Sequence, residues 1–345
     1  MRGCWLWIAA LVPCVAWAGD REDSADDELW LSTEDGEDPI VNGEVEEAFP
    51  QTVGLGAFNV TACTGSLITP KMVLSAGHCG VDIPLELVVS LGSAYFGTTP
   101  QDAIAEVGFA NMVVHPDYLP LNSGVMGSLP AYDIAVLELD QEAPDDLQPI
   151  WFRTKQMRQK DVGAEVVSVG FGITDASGAG GGTKRSATLT VDSYDDQFLL
   201  SYSSTNENNA NICSGDSGGP QYHFNEDRGL WEQWAVHSWG DSNCVSQSGS
   251  TRTDLVSDWL LEQIEAVHGT TDRCEINGHY DDGVCDDFCE TLDPDCMTDP
   301  FGGTGDATSS DDPIEASGGC ACDTGGAGTW WGWLAVGMLG FRRRR

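Results

Sequence analysis

A serine flanked by glycines is the strongest chemical signal in this sequence. Ser217 lies in the octapeptide CSGDSGGP at residues 213–220. Glycine permits the unusual backbone angles of a tight turn, and such a turn can direct the N–H groups of Gly215 and Ser217 to one point where an oxyanion forms. A flexible glycine-serine loop has a similar composition, so the octapeptide indicates a nucleophile only if partner residues exist elsewhere.

Two other segments provide such partners. His78 lies in LSAGHC at residues 74–79, and Asp133 begins DIAVL at residues 133–137. A serine hydroxyl is a weak nucleophile at neutral pH and needs a neighbouring base. His78 is the candidate base, and Asp133 is the candidate residue that orients it and stabilises the imidazolium. Each residue alone has an ordinary structural explanation, whereas the three together favour covalent catalysis.

In the order His78, Asp133 and Ser217, the motifs resemble the trypsin/chymotrypsin family of serine proteases over roughly residues 40–267. The resemblance implies an all-β fold of two six-stranded antiparallel barrels, with the triad in the cleft between them, followed by a helix. It also implies a serine endopeptidase that acts through an acyl-enzyme, with Gly215 and Ser217 as the oxyanion hole and no required cofactor or metal ligand. The alternative is a catalytically silent fold used for binding, but silent members usually lack a triad residue.

The resemblance also implies activation by cleavage. The tetrapeptide IVNG at residues 40–43 is similar to the mature N-terminus of the family. In that family the new ammonium, here that of Ile40, pairs in the core with the aspartate before the nucleophile, here Asp216. A buried ion pair that lacks one partner is costly, which gives the switch a physical basis. Pro39 stands where the family usually has Arg or Lys, so cleavage by a trypsin-like enzyme is not expected.

Substrate contacts are implied in the second half of the domain. Ser238, Trp239 and Gly240 match the segment whose backbone pairs with an extended substrate as an added strand. Asn211, six residues before Ser217, matches the base of the pocket for the side chain preceding the scissile bond. Because Asn211 is uncharged, we expect no strong preference for Arg or Lys, and neutral side chains of moderate or large size are predicted instead.

The cysteines are typical of a secreted protein, in which disulfides persist. By the resemblance, Cys63 pairs with Cys79 beside the histidine, and Cys213 pairs with Cys244 beside the substrate pocket. Other bridges common in the family have no cysteines here, so we expect a lightly crosslinked catalytic domain.

Short apolar runs separated by turn residues predict an all-β sandwich or barrel. The runs are residues 52–55, 85–89, 103–114, 134–139, 162–169 and 187–191. Residues 255–267 instead have apolar side chains at helical spacing, which predicts a helix packed on the second barrel.

The chain of 345 residues is strongly acidic, with 55 acidic and 16 basic residues and a formal net charge of −39. Five of the basic residues lie near the two ends, and without them the net charge would be about −44. This charge argues against nucleic acid or an anionic membrane as a partner. Acidic segments that keep the protein solvated explain most of the charge, and adaptation to a salty habitat is the alternative.

The N-terminal residues resemble export signals. Residues 1–18 have an early arginine, an apolar run and a final AWA, which predicts a secretory signal peptide cleaved after Ala18. A membrane anchor is the alternative, but the apolar run is short for a span. Residues 19–39 are dominated by Asp and Glu, which predicts a disordered acidic pro-segment. The protease domain is expected at residues 40–269.

Residues 270–297 form a cysteine-rich acidic segment. Its four cysteines allow three pairings, and its aspartates could bind Ca²⁺ through oxygen ligands, as in the Notch-repeat modules that the segment faintly resembles. A disulfide-linked acidic linker without metal is the alternative. The candidate ligands are Asp281, Asp282, Asp286, Asp287, Asp293 and Asp295.

The C-terminal residues predict a surface attachment. Residues 298–319 have the composition of a flexible linker. Residues 320–345, with CAC, a short apolar stretch and four terminal arginines, resemble the sorting signals of myxobacterial surface proteins. A simple tail anchor is the alternative. We therefore expect a monomer that acts on polypeptides, secreted and held at the cell surface or outer membrane.

Overall fold

The computed structural model describes residues 40, 43–81, 84–121, 129–174, 178–226 and 228–297. The proposed signal peptide, pro-segment, linker and tail lie outside these residues. No helix among the described residues has the length and apolar character needed to cross a membrane.

The strands are β1 (Glu44–Val45), β2 (Thr52–Ala57), β3 (Val60–Thr69), β4 (Met72–Ser75), β5 (Ser93–Phe96), β6 (Ala105–Val114), β7 (Ala135–Leu139), β8 (Glu165–Gly170), β9 (Arg185–Thr190), β10 (Ser193–Tyr194), β11 (Phe198–Tyr202), β12 (Pro220–Asn225), β13 (Leu230–Gly240) and β14 (Gln247–Arg252). The α-helices are α1 (His78–Val81), α2 (Leu85–Leu91), α3 (Ser257–His268) and α4 (Arg273–Asn277).

The first half of the domain is a closed antiparallel barrel of six strands in the order β2-β3-β4-β7-β6-β5. Its interior holds apolar side chains from all six strands, such as Val53, Leu67, Phe96 and Leu137. Each interior side chain is almost completely shielded from solvent. The predicted six-stranded barrel is confirmed here.

The second half is an open sheet of eight strands, in the order β1-β9-β8-β12-β13-β14-β11-β10. The prediction of a second closed six-stranded barrel is therefore wrong, because the backbone hydrogen bonds between the described strands form an open sheet. The two edge strands, β1 and β10, have only two residues each. Such short edges offer too few backbone groups to pair with each other and close the sheet.

The run at residues 85–89 was predicted as a strand but forms helix α2. Pro84 precedes the helix, Leu and Glu are good helix formers, and no residue of α2 is fully buried. Strand β5, which begins at Ser93, takes the barrel position instead. Because β5 occupies the position in the barrel, the exposed run at residues 85–89 adopts the helical conformation that its residues favour.

Apolar packing joins the barrel, the sheet and the predicted helix. Leu74 and Val136 of the barrel belong to one buried cluster with Val236 of β13 and with Leu260 and Ile264 of α3. The helical prediction for residues 255–267 is confirmed by α3. This shared core fixes the barrel against the sheet and so fixes the loops that extend from both.

The structure selects one pairing for the cysteine-rich segment. Cys274 bonds to Cys289, and Cys285 bonds to Cys296. Asp272 starts α4 by accepting the backbone N–H groups of Cys274 and Glu275. The segment is thus a small two-bridge module attached directly after α3.

Candidate active site

Strand register brings His78 and Asp133 to one end of the barrel. Ser75, the last residue of β4, pairs with Ala135, the first residue of β7. His78 follows β4 and Asp133 precedes β7, so an antiparallel pair places both at the same edge. The imidazole Nδ1 of His78 lies 2.7 Å from Oδ2 of Asp133, and the backbone N–H of His78 donates to Oδ1 at 2.8 Å.

The His78–Asp133 pair is buried on one side only. Asp133 is fully buried, whereas a third of the His78 side chain is exposed. A carboxylate accepts hydrogen bonds, so Nδ1 carries a proton and donates it to Asp133. The hydroxyl of Ser238 donates to the same Oδ2 of Asp133 at 2.6 Å. Asp133 is thereby fixed by three donors, one of them from the second sheet.

Thr64 of β3 holds the loop that carries Ser217. Its backbone N–H donates to the carbonyl of Ser217 at 2.8 Å, and its hydroxyl donates to the carbonyl of Gly215 at 2.9 Å. The Sγ atom of Cys79 lies 3.6 Å from the same Ser217 oxygen. Ser217 therefore lies beside the loop of His78, in which Cys79 is the next residue.

The turn around Ser217 requires a glycine at position 218. Gly218 has a φ of +85°, in the left-handed region that favours glycine. A Cβ atom there would collide with the carbonyl oxygen of Thr64 and the hydroxyl of Ser75. The close approach of the nucleophile loop to the barrel thus explains one glycine of the octapeptide.

Asp216 is fully buried beneath this turn. Its carboxylate accepts the backbone N–H groups of Gly172 and Cys213, each at 2.8 Å. Burial raises the pKa of Asp216 to about 7, although the two N–H groups and the charge of Arg185 oppose this shift. No ion pair of this carboxylate occurs within the described ranges. Ile40 is also buried, with 1% of its surface exposed.

A cavity of about 160 Å³ adjoins Ser217. Cys213 and Cys244, which line it, are joined by a disulfide, and Cys63 is joined to Cys79 beside His78, as the sequence predicted. Asn211 is fully buried and is not among the lining residues. The cavity is lined by Ile212, Cys213, Ser214, Ser217, His237, Ser238, Trp239, Gly240, Asp241, Ser242 and Cys244.

The end of β13 has one open side. Residues up to Val236 pair with β12, whereas Trp239 and Gly240 pair only with Gly249 and Ser248 of β14. Unpaired backbone groups at a strand edge can accept an added strand. The segment expected to bind substrate therefore has the backbone geometry that this interaction needs.

Sequence reasoning missed three features of the site. It did not identify Thr64 as the residue that bridges the loops, and it did not predict that Ser238 also supports Asp133. It also overlooked His237, a fully buried histidine of the cavity wall. A histidine directly after the apolar run WAV was the available signal.

Comparisons with known proteins identify a family and several relatives of similar sequence. The family model described as Trypsin matches residues 40–260. The vitamin K-dependent protein C of Rattus norvegicus is 28% identical over 240 residues, covering 64% of this chain and 49% of that protein. Serine protease SP24D of Anopheles gambiae is 31% identical over 198 residues, covering 52% of this chain and 66% of that protein. The trypsin of Saccharopolyspora erythraea is 28% identical over 222 residues, covering 59% of this chain and 87% of that protein. The chain thus matches about half the length of the rat protein and just under two thirds of the mosquito one.

Proposed function

Because this chain belongs to the trypsin family of serine proteases, we propose that it is a secreted serine endopeptidase that uses His78, Asp133 and Ser217 as a catalytic triad. The observation that carries the proposal is the 2.7 Å contact between His78 and Asp133 beside the loop of Ser217. The protease names of the relatives support this class and give no support to a silent binding protein.

In the proposed reaction, the Ser217 hydroxyl attacks the scissile carbonyl while Nε2 of His78 takes the hydroxyl proton. Asp133 holds the ring and stabilises the resulting imidazolium. His78 then gives the proton to the leaving amine, and water releases the acyl group by the same steps in reverse order. The fixed Nδ1 contact favours this role because it orients the ring and assigns the proton transfer to the other ring nitrogen, Nε2.

We assign the oxyanion hole to the backbone N–H groups of Gly215 and Ser217. Neither group donates to a backbone carbonyl in the described part of the chain, whereas the neighbouring Asp216, Gly218 and Gly219 all do. Two adjacent free donors on a fixed turn can stabilise a developing negative charge.

A serine-directed phosphonate reagent tests the proposed nucleophile. It should label Ser217 in the cleaved protein, and peptide mapping by mass spectrometry would locate the label. Labelling at another serine would contradict the assignment.

Ser238→Ala should lower kcat/KM for a peptide substrate by about tenfold, since a hydrogen bond to a charged group contributes roughly 1.5–3 kcal/mol. The lost bond is the one that Ser238 donates to Asp133. Ser203→Ala is the matched control, because the Ser203 hydroxyl is also buried but bonds to the carbonyl of Ser246. Equal rates for the two variants would contradict a positioning role for Ser238.

We propose that cleavage before Ile40 activates the enzyme, and that the new ammonium pairs with Asp216. The support is the burial of both residues and the raised pKa of a carboxylate that has backbone donors but, among the described residues, forms no ion pair. An ammonium at this point would favour the charged carboxylate.

The uncleaved protein should lose stability with rising pH through Asp216. Its pKa is about 7 in the folded chain against 3.8 for an unperturbed aspartate, so the folded state binds the proton more tightly. The stabilisation is complete below about pH 4 and is lost as the pH rises through 7, at roughly 1.4 kcal/mol per pH unit. Urea unfolding at pH 5 and pH 8 should show a smaller loss for Asp216→Asn, and equal losses would contradict this.

We propose Ca²⁺ binding by the cysteine-rich module, whose residues fit this ion only in part. Asp293 and Asp295 accept backbone N–H groups of Asp286 and Gly283, so they already stabilise the loop. His279, Asp282 and Asp286 place one ligand atom each within 4.8 Å of one another. The histidine nitrogen is not a ligand that Ca²⁺ prefers. Calorimetric titration of the whole protein with Ca²⁺ tests the proposal.

Localisation and attachment are also proposed. We propose export through residues 1–18 and surface attachment through residues 320–345, with polypeptides as substrates and a monomeric enzyme. Mass spectrometry of both mature termini in the native host tests this. Retention of the terminal arginines would favour the plain tail anchor over a sorting signal.

A further inference from the structure

A buried histidine in the wall of the Ser217 cavity has no role in the proposed triad. His237 lies in β13 with none of its surface exposed, and it lines the cavity of about 160 Å³ together with Ser217. Its Nδ1 lies 3.1 Å from the backbone carbonyl of Asp216, and its Nε2 has no hydrogen-bond partner in the described part of the protein. A buried nitrogen without a hydrogen-bond partner destabilises the folded protein unless a ligand supplies the missing hydrogen bond.

The bond to Asp216 fixes the tautomer of His237. A carbonyl oxygen only accepts, so Nδ1 carries a proton. Burial lowers the pKa of His237 to about 4, despite the opposing bond to the Asp216 carbonyl. In the protein without substrate at neutral pH, the imidazole of His237 is therefore neutral, and its Nε2 can accept a hydrogen bond. When Nε2 gains a proton, the ring becomes a cation and Nε2 becomes a hydrogen-bond donor.

The surroundings of His237 contain an excess of donors. The Nε1 of Trp239, which lines the same cavity, is a buried N–H group without a partner among the described residues. Ser214 and Ser242 add hydroxyl groups to the cavity lining. A ligand whose polar atoms only accept hydrogen bonds would best satisfy these donors.

The carboxylates nearest the cavity are already engaged. Asp241 lines the cavity, but its oxygens accept the backbone N–H groups of Asn243, Val245 and Ser246. Asp216 is bound by Gly172 and Cys213, and Asp133 by His78 and Ser238. No described carboxylate therefore forms an ion pair with His237.

We propose that this cavity accepts the carboxylate of a substrate Glu or Asp immediately before the scissile bond, and that His237 determines this specificity. The inference rests on the proposed endopeptidase function and names its substrate class. It replaces the neutral preference predicted from Asn211 alone. The cavity of about 160 Å³ has the volume of about five waters at about 30 Å³ each, which is enough room for a glutamate side chain.

Charge balance requires one proton for each acidic side chain bound. The carboxylate enters with a negative charge, and His237 takes a proton from water at Nε2, so that an imidazolium–carboxylate pair forms. An opposite charge in contact raises the pKa of a buried histidine. Other titratable groups lie near the imidazole of His237. Asp216, with Arg185 near it, belongs to the adjacent turn. Asp241 lines the cavity, and His78 and Asp133 belong to the proposed triad. The preference for Glu over Gln should consequently fall as the pH rises.

The decisive measurement compares peptides that differ only in Glu or Gln before the scissile bond, using the cleaved protein at pH 6 and pH 8. We expect kcat/KM to favour Glu by about 10- to 100-fold at pH 6, as for a charge-assisted hydrogen bond. The ratio should be smaller at pH 8. A wild-type preference for Gln, for an apolar side chain or for Arg would overturn the proposal.

His237→Val should reduce the Glu-to-Gln ratio to about one while leaving phosphonate labelling of Ser217 intact. His223→Val is the matched control, because His223 also bonds a backbone carbonyl through Nδ1 but lies outside this cavity. If His237→Val is not labelled, His237→Gln replaces it. An unchanged ratio in a labelled His237 variant would overturn the role of His237. Failure of the wild-type protein to label would instead count against the proposed function itself.

Discussion

Replacement of Ser217 by alanine should lower kcat for a peptide substrate on the order of 10⁶-fold, as expected when a triad nucleophile is lost. In the proposed reaction, the Ser217 hydroxyl supplies the oxygen that attacks the carbonyl. Its backbone carbonyl bond to Thr64 does not involve the side chain, so the loop should keep its position. Steady-state kinetics with a chromogenic peptide measures the loss.

Two controls make this result specific. Ser193→Ala changes a serine on the two-residue edge strand β10 and should leave kcat unchanged. Phosphonate labelling should disappear only in Ser217→Ala. Hydrolysis by Ser217→Ala at the wild-type rate would falsify the triad, and it would revive the hypothesis of a silent fold with a contaminating protease.

Release of Ile40 as the N-terminus should raise kcat/KM by roughly 10²- to 10³-fold, since a buried ion pair lacking one partner costs about 3–5 kcal/mol. The partner carboxylate, Asp216, precedes Ser217 and holds the turn through Cys213. A Pro39→Lys variant would allow a defined cut by added trypsin. N-terminal sequencing should then read IVNG in the active fraction.

Asp216→Asn provides the matched variant for activation. It should remove most of the gain on cleavage, because an amide cannot form the ion pair with the new ammonium. An uncleaved protein with full activity would contradict the mechanism, as would a cleaved Asp216→Asn variant with wild-type kinetics.

Local sequence was sufficient to predict the candidate site and to identify the family. The motifs around His78, Asp133 and Ser217 indicated the nucleophile, its base and the family, because a glycine-rich turn and the short segments near it are set by adjacent residues. The pairs Cys63–Cys79 and Cys213–Cys244 and the helix α3 also agree with the prediction. Helical period is a property of the local chain, so the sequence is sufficient for α3, whereas the two cysteine pairs were implied by the resemblance to the family.

Only the tertiary structure decided the features that depend on distant partners. Residues 85–89 form a helix because β5 occupies the barrel position, and the second sheet stays open because its edge strands are short. Ser238 bonds to Asp133 across 105 positions of sequence, and His237 reaches the Ser217 cavity from a position in β13 that is paired with Ser250 of β14. Which face a side chain occupies, and what it meets there, is set by long-range pairing rather than by residue type.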